Sequence, residues 1–526
     1  MSWYSQPMRN VVFLVALLAA GCGRGGFSQR TDGKSDNWLR YAMDATPGTL
    51  DPALAQDLVA GDLMRQTVEG LVGINEQNEI VPRLAASWSV SEDGLVYTFN
   101  IREGVKFHSG KVLTASDFVD TFNRNCDGTF NSPIAKNYLG DIAGVEDKLS
   151  GKAPTITGVQ ASGPLTLSIR LIRPAPYFLG KLTYSVACAI DTSKVPKGSQ
   201  IKEASQLVGT GPFRLAEYKP EQSARLEAFP DYWDGAPSIE GMELSVVKDP
   251  ATRLNKFKTG SLDFIGLPQE DVEGMERNPE TRENLQRVNW PGLIYLGLNK
   301  AVYRPFADPM VRRAFAMAID KEAIIANILG GVGHKADSIL PPGMPGYREG
   351  LTHQKFDPAK ARSLVKSKLP PVDLVLGGQS TDRRKVAEAI ASQLRKNLGV
   401  EVSIRQMEMG AYLQRATRKE LGFFLGTWFA DYLDPENFLS VTLASYGQNR
   451  PNYDNPQFSA LCLEADSCLD PVKRLKLYQQ AEDLALQDAV WIPIYFQQTV
   501  LAVNPRVKGI RRNLIDMMPH SRVQLN

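Results

Sequence analysis

The sequence predicts a mixed α/β protein of more than one domain, on three observations. Residues 84–122, LAASWSVSEDGLVYTFNIREGVKFHSGKVLTASDFVDTF, read strand, tight turn, strand, loop, helix. Residues 372–376, 382–397 and 400–406 read strand, helix, strand, a unit that demands a parallel sheet covered by helices. The length, 526 residues, exceeds what one hydrophobic core organises.

At the N-terminus, Arg9 precedes a short apolar run over 11–20 that ends in Ala19-Ala20-Gly21-Cys22. A short apolar core followed by small residues is an export signal, and so short a run cannot cross a bilayer as a helix. Residues 1–21 are read as that signal, and 22–37, rich in Gly, Arg and Ser, as a flexible stalk. The small residues before Cys22 resemble a bacterial lipobox, although Ala19 stands where Leu is usual and Leu18 lies one step earlier. That resemblance implies a diacylglyceryl anchor on the Cys22 thiol, each buried CH₂ holding the membrane by about 0.8 kcal/mol. No later segment has the roughly eighteen consecutive apolar residues of a spanning helix.

Residues 38–41 open a strand, and a helix is expected over 61–70. In the 84–122 run, alternation through Trp88 and Val90 stops at Glu92-Asp93-Gly94, where glycine supplies a positive φ. It resumes at Val96, Tyr97, Phe99 and Ile101. Thr114 then caps a helix, with Asp117 reaching back ahead of the stripe Phe118, Val119, Phe122. Residues 155–171 alternate as strands around Ser162-Gly163-Pro164, and 209–247 are strand-rich. Asp308 caps and Pro309 starts a helix bearing Val311, Ala314, Phe315, Ala318 and Ile319; Gly330-Gly331 stops that line of helices. A nearly uninterrupted apolar run at 421–429 is a buried strand, and a helix over 471–487 precedes a strand over 491–496.

Apolar residues make up 43% and charged ones 22%, the balance of a folded soluble body. Sixty basic side chains against 58 acidic ones, with no long Lys/Arg block, argue against nucleic acid as a partner. Four histidines, no His-Glu-x-x-His and no Gly-x-Ser-x-Gly leave no catalytic set, and no cofactor is implied. Cys126, Cys188, Cys462 and Cys468 would sit where disulfides persist. A bridge between Cys462 and Cys468 needs a helix end near Ser467, Cys126 with Cys188 is equally open, and the spacings suit no zinc site.

One charged group stands out, in Trp428-Phe429-Ala430-Asp431-Tyr432. Asp431 emerges at the end of the buried strand, where crevices of α/β proteins open. An alternative is a helix cap, but Asp434 precedes Pro435 as a cap precedes a first-turn proline. Asp431 is then left for a ligand. Trp428 reads as a ligand-stacking or a core side chain.

The 84–122 run resembles the signature of the family 5 extracellular solute-binding proteins, the oligopeptide-binding group of ABC importers. Further matching blocks are Leu298-Asn299 with Pro305-Phe306, Asp308, Val311-Arg312 and Ala318-Ile319-Asp320, then WFADYLDPENF at 428–438, Tyr453-Asp454-Asn455-Pro456, and Ile492-Pro493-Ile494-Tyr495. The resemblance implies a periplasmic-binding-protein-like class II α/β fold, two lobes closing over a cleft, with an additional inserted domain. Carried over, domain I comprises 38–68, 193–295 and 500–526, the inserted domain II 69–192, and domain III 296–499. It implies a monomer, not an enzyme, that captures short peptides and delivers them to the transmembrane subunits of an ABC permease. Its place would be the periplasmic or cell-surface face of a membrane, held by lipid at Cys22. Asp431 falls on the aspartate that holds the peptide's α-ammonium. The guest would lie like an added strand, its backbone meeting Gln56 and Leu58 on one lobe and Thr427 and Phe429 on the other, with Tyr138 as a further contact. Relatives that take haem, nickel chelates, sugars or opines leave the cargo open, as does a sensing role without transport.

Overall fold

The computed structural model describes residues 37–515 and 517–526. The signal over 1–21, the lipidation site Cys22 and the stalk up to residue 36 lie outside the described residues.

Eleven strands form one sheet that serves two halves of the molecule. In one half, Trp38–Met43 lies between Gly241–Val246 and Phe264–Gly266, parallel to both, and Ser223–Ala228 and Phe213–Lys219 extend the sheet outward. The other half holds the strand–helix–strand unit: Val372–Gly377 and Val402–Met407 run parallel, joined by the helix Thr381–Leu398. Ser380 caps that helix, Gly399 ends it at φ +68°, and Val386, Ile390 and Leu394 bury its apolar face. Phe423–Phe429 adds a third parallel strand beside Val372–Gly377.

Two long strands, Leu285–Leu298 and Trp491–Val503, run antiparallel through both halves. Their ladder holds from Leu285↔Ala502 to Asn289↔Gln498, breaks, and resumes at Leu293↔Phe496. The break falls on Trp290-Pro291-Gly292, where proline has no N–H to give and the extra residues bulge. A joint with an interrupted ladder is where two lobes can rotate.

The segment between the first two strands of the sheet builds a separate four-stranded antiparallel sheet, in the order Ala85–Val90, Val96–Ile101, Thr166–Arg170, Val159–Gly163. Gly94 turns the first hairpin at φ +70°. The helix Ala115–Asn125 starts as its sequence dictates: the Thr114 N–H and hydroxyl both donate to Asp117, at 2.8 and 2.9 Å. Its stripe joins Phe99, Phe107 and Phe178 in a core that also takes in Tyr432, from far along the chain. Tyr432 packs beside Gly180, and Leu469 beside Gly94, so this smaller unit is seated against the half that carries 423–488.

Gly94→Ala tests that seat. A left-handed φ costs a non-glycine residue roughly 1–2 kcal/mol, and a Cβ would stand 2.7 Å from Leu469 Cδ2. The variant is expected to melt lower and to scatter X-rays as a more open particle; unchanged melting and scattering would mean Leu469 does not hold the seam.

Among the described residues, all four cysteines are free thiols. The helix Pro456–Ser467 does end where a Cys462–Cys468 bridge requires, yet Cys462 is buried in the core and Cys468 faces the Asp470 carbonyl at 3.6 Å. Burial pushes the Cys126 thiol up to about 12, so it stays protonated. No helix among the described residues is long and apolar enough to cross a membrane.

Candidate functional site

Two parallel strands end level, at Gly377 and Met407, and the third, Phe423–Phe429, runs three residues further, to Phe429. Ligands of open α/β sheets lie outside such carboxyl ends. Here the chain places Gly378, Arg383, Met409 and Asp431 just beyond them.

The strand Phe423–Phe429 has one satisfied edge and one that is satisfied only in part. Along Leu285–Leu298 its pairing is continuous, from Leu298↔Phe423 to Gly292↔Phe429. Asn299 N donates to Gly422 O, and Ala430 N to Pro291 O. In an antiparallel pair the bonded residues alternate. The even-numbered residues 422–430 therefore bond to this neighbour, and the odd-numbered ones direct their peptide groups the other way. On that other side Val372–Gly377 pairs only as far as Leu376↔Leu425, and Leu425 O accepts from Tyr412 Oη at 3.1 Å and Arg383 Nη2 at 2.9 Å. Thr427 and Phe429 lie past the last strand partner, with backbone donors and acceptors aimed at the open edge.

Asp431 lies where this edge meets the inserted unit. Burial pushes its carboxyl pKa up, while the Tyr138 hydroxyl and the Asn437 amide hold it down; burial prevails. Tyr138 belongs to the inserted unit and stacks on Tyr184 at 3.9 Å between ring centroids. Tyr184 Oη in turn donates to Ala55 O at 3.4 Å, next to Gln56. The carboxyl is thus covered by a neutral phenol from its own chain rather than standing open. Two cavities, of about 400 and 240 Å³, are lined by none of the seven residues expected from sequence to bind.

The structure brings Tyr138, Asp431 and Trp428 together; Tyr184 ties them to Ala55, the neighbour of the exposed Gln56. Trp428 leans on the core, and its indole N–H donates to Asn437 Oδ1 at 3.2 Å. Leu58, the first residue of the helix Leu58–Thr67, and Phe429 are exposed apolar side chains, at 63% and 37%. The Thr427 hydroxyl is buried with no hydrogen-bond partner among the described residues. Asp434 caps Pro435–Phe438, accepting from Glu436 N, and binds Arg474 through both oxygens at 2.7 Å. Sequence reasoning missed Tyr184, Arg383 and Asn437. Asn437 was within reach, six residues past Asp431 on the short helix that Asp434-Pro435 announces. Among the described residues no three His, Cys, Asp or Glu side chains gather as metal ligands would.

Residues 79–450 match the model of the bacterial extracellular solute-binding proteins, family 5, and the chain belongs to that family of solute-binding proteins. It is 29% identical to the dipeptide-binding protein DppE of Bacillus subtilis over 93% of this chain and 92% of that one. It is 30% identical to heme-binding protein A of Haemophilus influenzae over 94% of each. Among solved structures, the Escherichia coli murein tripeptide binding protein MppA superposes with a TM-score of 0.78 at 25% identity, covering 93% of this chain and 98% of that one. The two-lobed α/β class of these proteins is the fold described above.

Proposed function

We propose that this protein is the binding component of an ABC importer, which captures short peptides between its lobes and hands them to a permease. The observation that carries the reading is Asp431, a half-buried residue at the end of an open strand edge, its carboxyl shielded enough to raise its pKa. Backbone groups at Thr427 and Phe429 would pair with any extended peptide, whatever its side chains. Asp431 would fix the register by taking the α-ammonium. A partly desolvated carboxyl whose nearest partners are neutral is poised for a cation, which offsets the desolvation that raises its pKa. The positively charged Arg383, bonded to the same strand at Leu425 O, suits a carboxylate further along the guest.

The same reading treats the chain as a monomer with no enzymatic activity. It divides the chain into domain I (38–68, 193–295, 500–526), domain II (69–192) and domain III (296–499). Export by the signal over 1–21 and lipidation of Cys22 would hold it at the outer face of the membrane where the permease sits.

Calorimetry with a free-amino tripeptide and its N-acetyl copy tests the site. The free form is expected to bind at least tenfold more tightly, since a charged hydrogen bond contributes about 1.5–3 kcal/mol. Equal affinities would remove the ammonium role from Asp431.

A further inference from the structure

We infer that Asn437 is the positioning residue of this site: it holds the Asp431 carboxylate and the Trp428 indole in the arrangement that receives the guest's amino terminus. The inference rests on the reading of Asp431 given above.

The geometry follows from which partner is a donor. Asn437 Oδ1 accepts two N–H groups, the Trp428 indole Nε1 and the Asp431 backbone N, each at 3.2 Å. Both partners can only donate, so the amide oxygen must face them. That turns the amide nitrogen toward the Asp431 carboxyl and the Tyr432 hydroxyl, and it lowers the pKa of both. One side chain therefore grips the residue at backbone and carboxylate at once, and pins the neighbouring aromatic ring.

Asn437 is itself immobile. It is 1% exposed and lies on the turn Pro435–Phe438, capped by Asp434. Asp434 is clamped by Arg474, whose Nε donates to Ala465 O at 3.0 Å from the long helix Pro471–Asp488. Rigidity thus passes from the helix pair through Arg474, Asp434 and Asn437 to Asp431. A carboxylate held by a locked neighbour keeps its aim when the lobes part, so the empty site is already set for an ammonium. Tyr138 belongs to the inserted unit and would leave on opening. Asn437 shares the chain segment of Asp431 and would stay.

Two variants separate positioning from bulk support. Asn437→Ala removes the bonds to Trp428 and Asp431 N and the amide's interaction with the carboxyl. Asn437→Asp keeps an oxygen for Trp428 and for Asp431 N, but sets a second carboxyl against the first. The ligand-free readout is the ¹³C-carboxyl titration of Asp431, identified by its disappearance in Asp431→Asn. Its midpoint is expected to rise by about one pH unit or more in either variant. In parallel, the preference for Ala-Ala-Ala over N-acetyl-Ala-Ala-Ala should shrink at least tenfold, with Trp428 emission shifted in Asn437→Ala and preserved in Asn437→Asp. A folded Asn437→Asp that titrates at the wild-type midpoint and keeps the full preference would overturn the proposal, leaving Asn437 a structural amide. Should Asn437→Ala fail to fold, Asn437→Asp and the double swap Asp431→Asn/Asn437→Asp carry the test. The swap restores one carboxylate and one amide, and is expected to fold yet lose the preference; a swap that kept it would also overturn the proposal. If the wild type itself shows no preference, the ammonium reading of Asp431 fails while the titration still decides whether Asn437 holds the carboxylate.

Discussion

Asp431→Ala is expected to weaken binding of a free-amino tripeptide by roughly 100-fold to several thousandfold, and to leave the N-acetylated peptide nearly unaffected. The magnitude follows from stranding: an ammonium enclosed between shut lobes without its counter-charge costs about 3–5 kcal/mol. Asp431→Asn should fall between, because an amide oxygen can accept from the ammonium but brings no charge. The empty protein should respond in the opposite sense. Burial raises the Asp431 pKa against the pull of Tyr138 and Asn437, so the carboxyl is a cost to the unliganded fold, and the alanine variant should melt no lower than wild type. A paired result, weaker binding with undiminished thermal stability, marks a residue kept for a ligand. Equal losses for both peptides, or a collapsed melting curve, would make Asp431 a structural residue.

Much of this site was legible because local chemistry spelled it out. Asp434-Pro435 reads as a cap and a first turn, and the structure shows that bond, which leaves Asp431 for another role. The hairpin at Gly94, the Thr114/Asp117 start and the 372–407 unit likewise depend on neighbours in sequence. The crossing strand Leu285–Leu298 was harder to see. Pro291-Gly292 punctuates it as a turn would, and pairing with Trp491–Val503 and Phe423–Phe429, both far along the chain, keeps it extended. The same holds for Tyr184 and Arg383, whose roles exist because Ala55 and Leu425 are brought beside them. A phenol closing over Asp431 could not be foreseen either, since Tyr138 belongs to a unit with its own core. Nor did sequence alone reveal why Tyr432, next to the charged residue, is buried in that foreign core. The pair Asp431-Tyr432 joins ligand contact to closure within two residues.

Closure should also carry a pH dependence, through Glu436. This side chain is 6% exposed in the seam and receives the Tyr432 hydroxyl. Burial pushes its pKa from the ordinary 4.5 to about 8; Lys181 of the inserted unit and Tyr432 pull downward, while Asp466 and Asp434 push further up. The sign follows from the direction of the shift. Below about pH 4.5 the carboxyl is protonated whether buried or solvated, and closure bears no penalty. As pH rises toward 8, the solvated form ionises while the buried form must keep its proton, so the closed packing loses about 1.4 kcal/mol per pH unit. Above 8 both forms are ionised and the penalty stays constant. Wild-type protein is therefore expected to lose thermal stability steadily from pH 5 to pH 8, whereas Glu436→Gln should flatten that slope, matching wild type at pH 5 and melting higher at pH 8. Lys181 identifies the side of the seam responsible. It is held 2.7 Å from Asp141 on the inserted unit, and Lys181→Met should move the Glu436 midpoint upward, because the cation that pulls its pKa down is gone. If Glu436→Gln leaves the slope intact, the proton taken up on closure belongs to another buried carboxyl, and Asp466, which accepts from Ser440, Tyr446 and Tyr478 and is also raised by burial, is the next to replace.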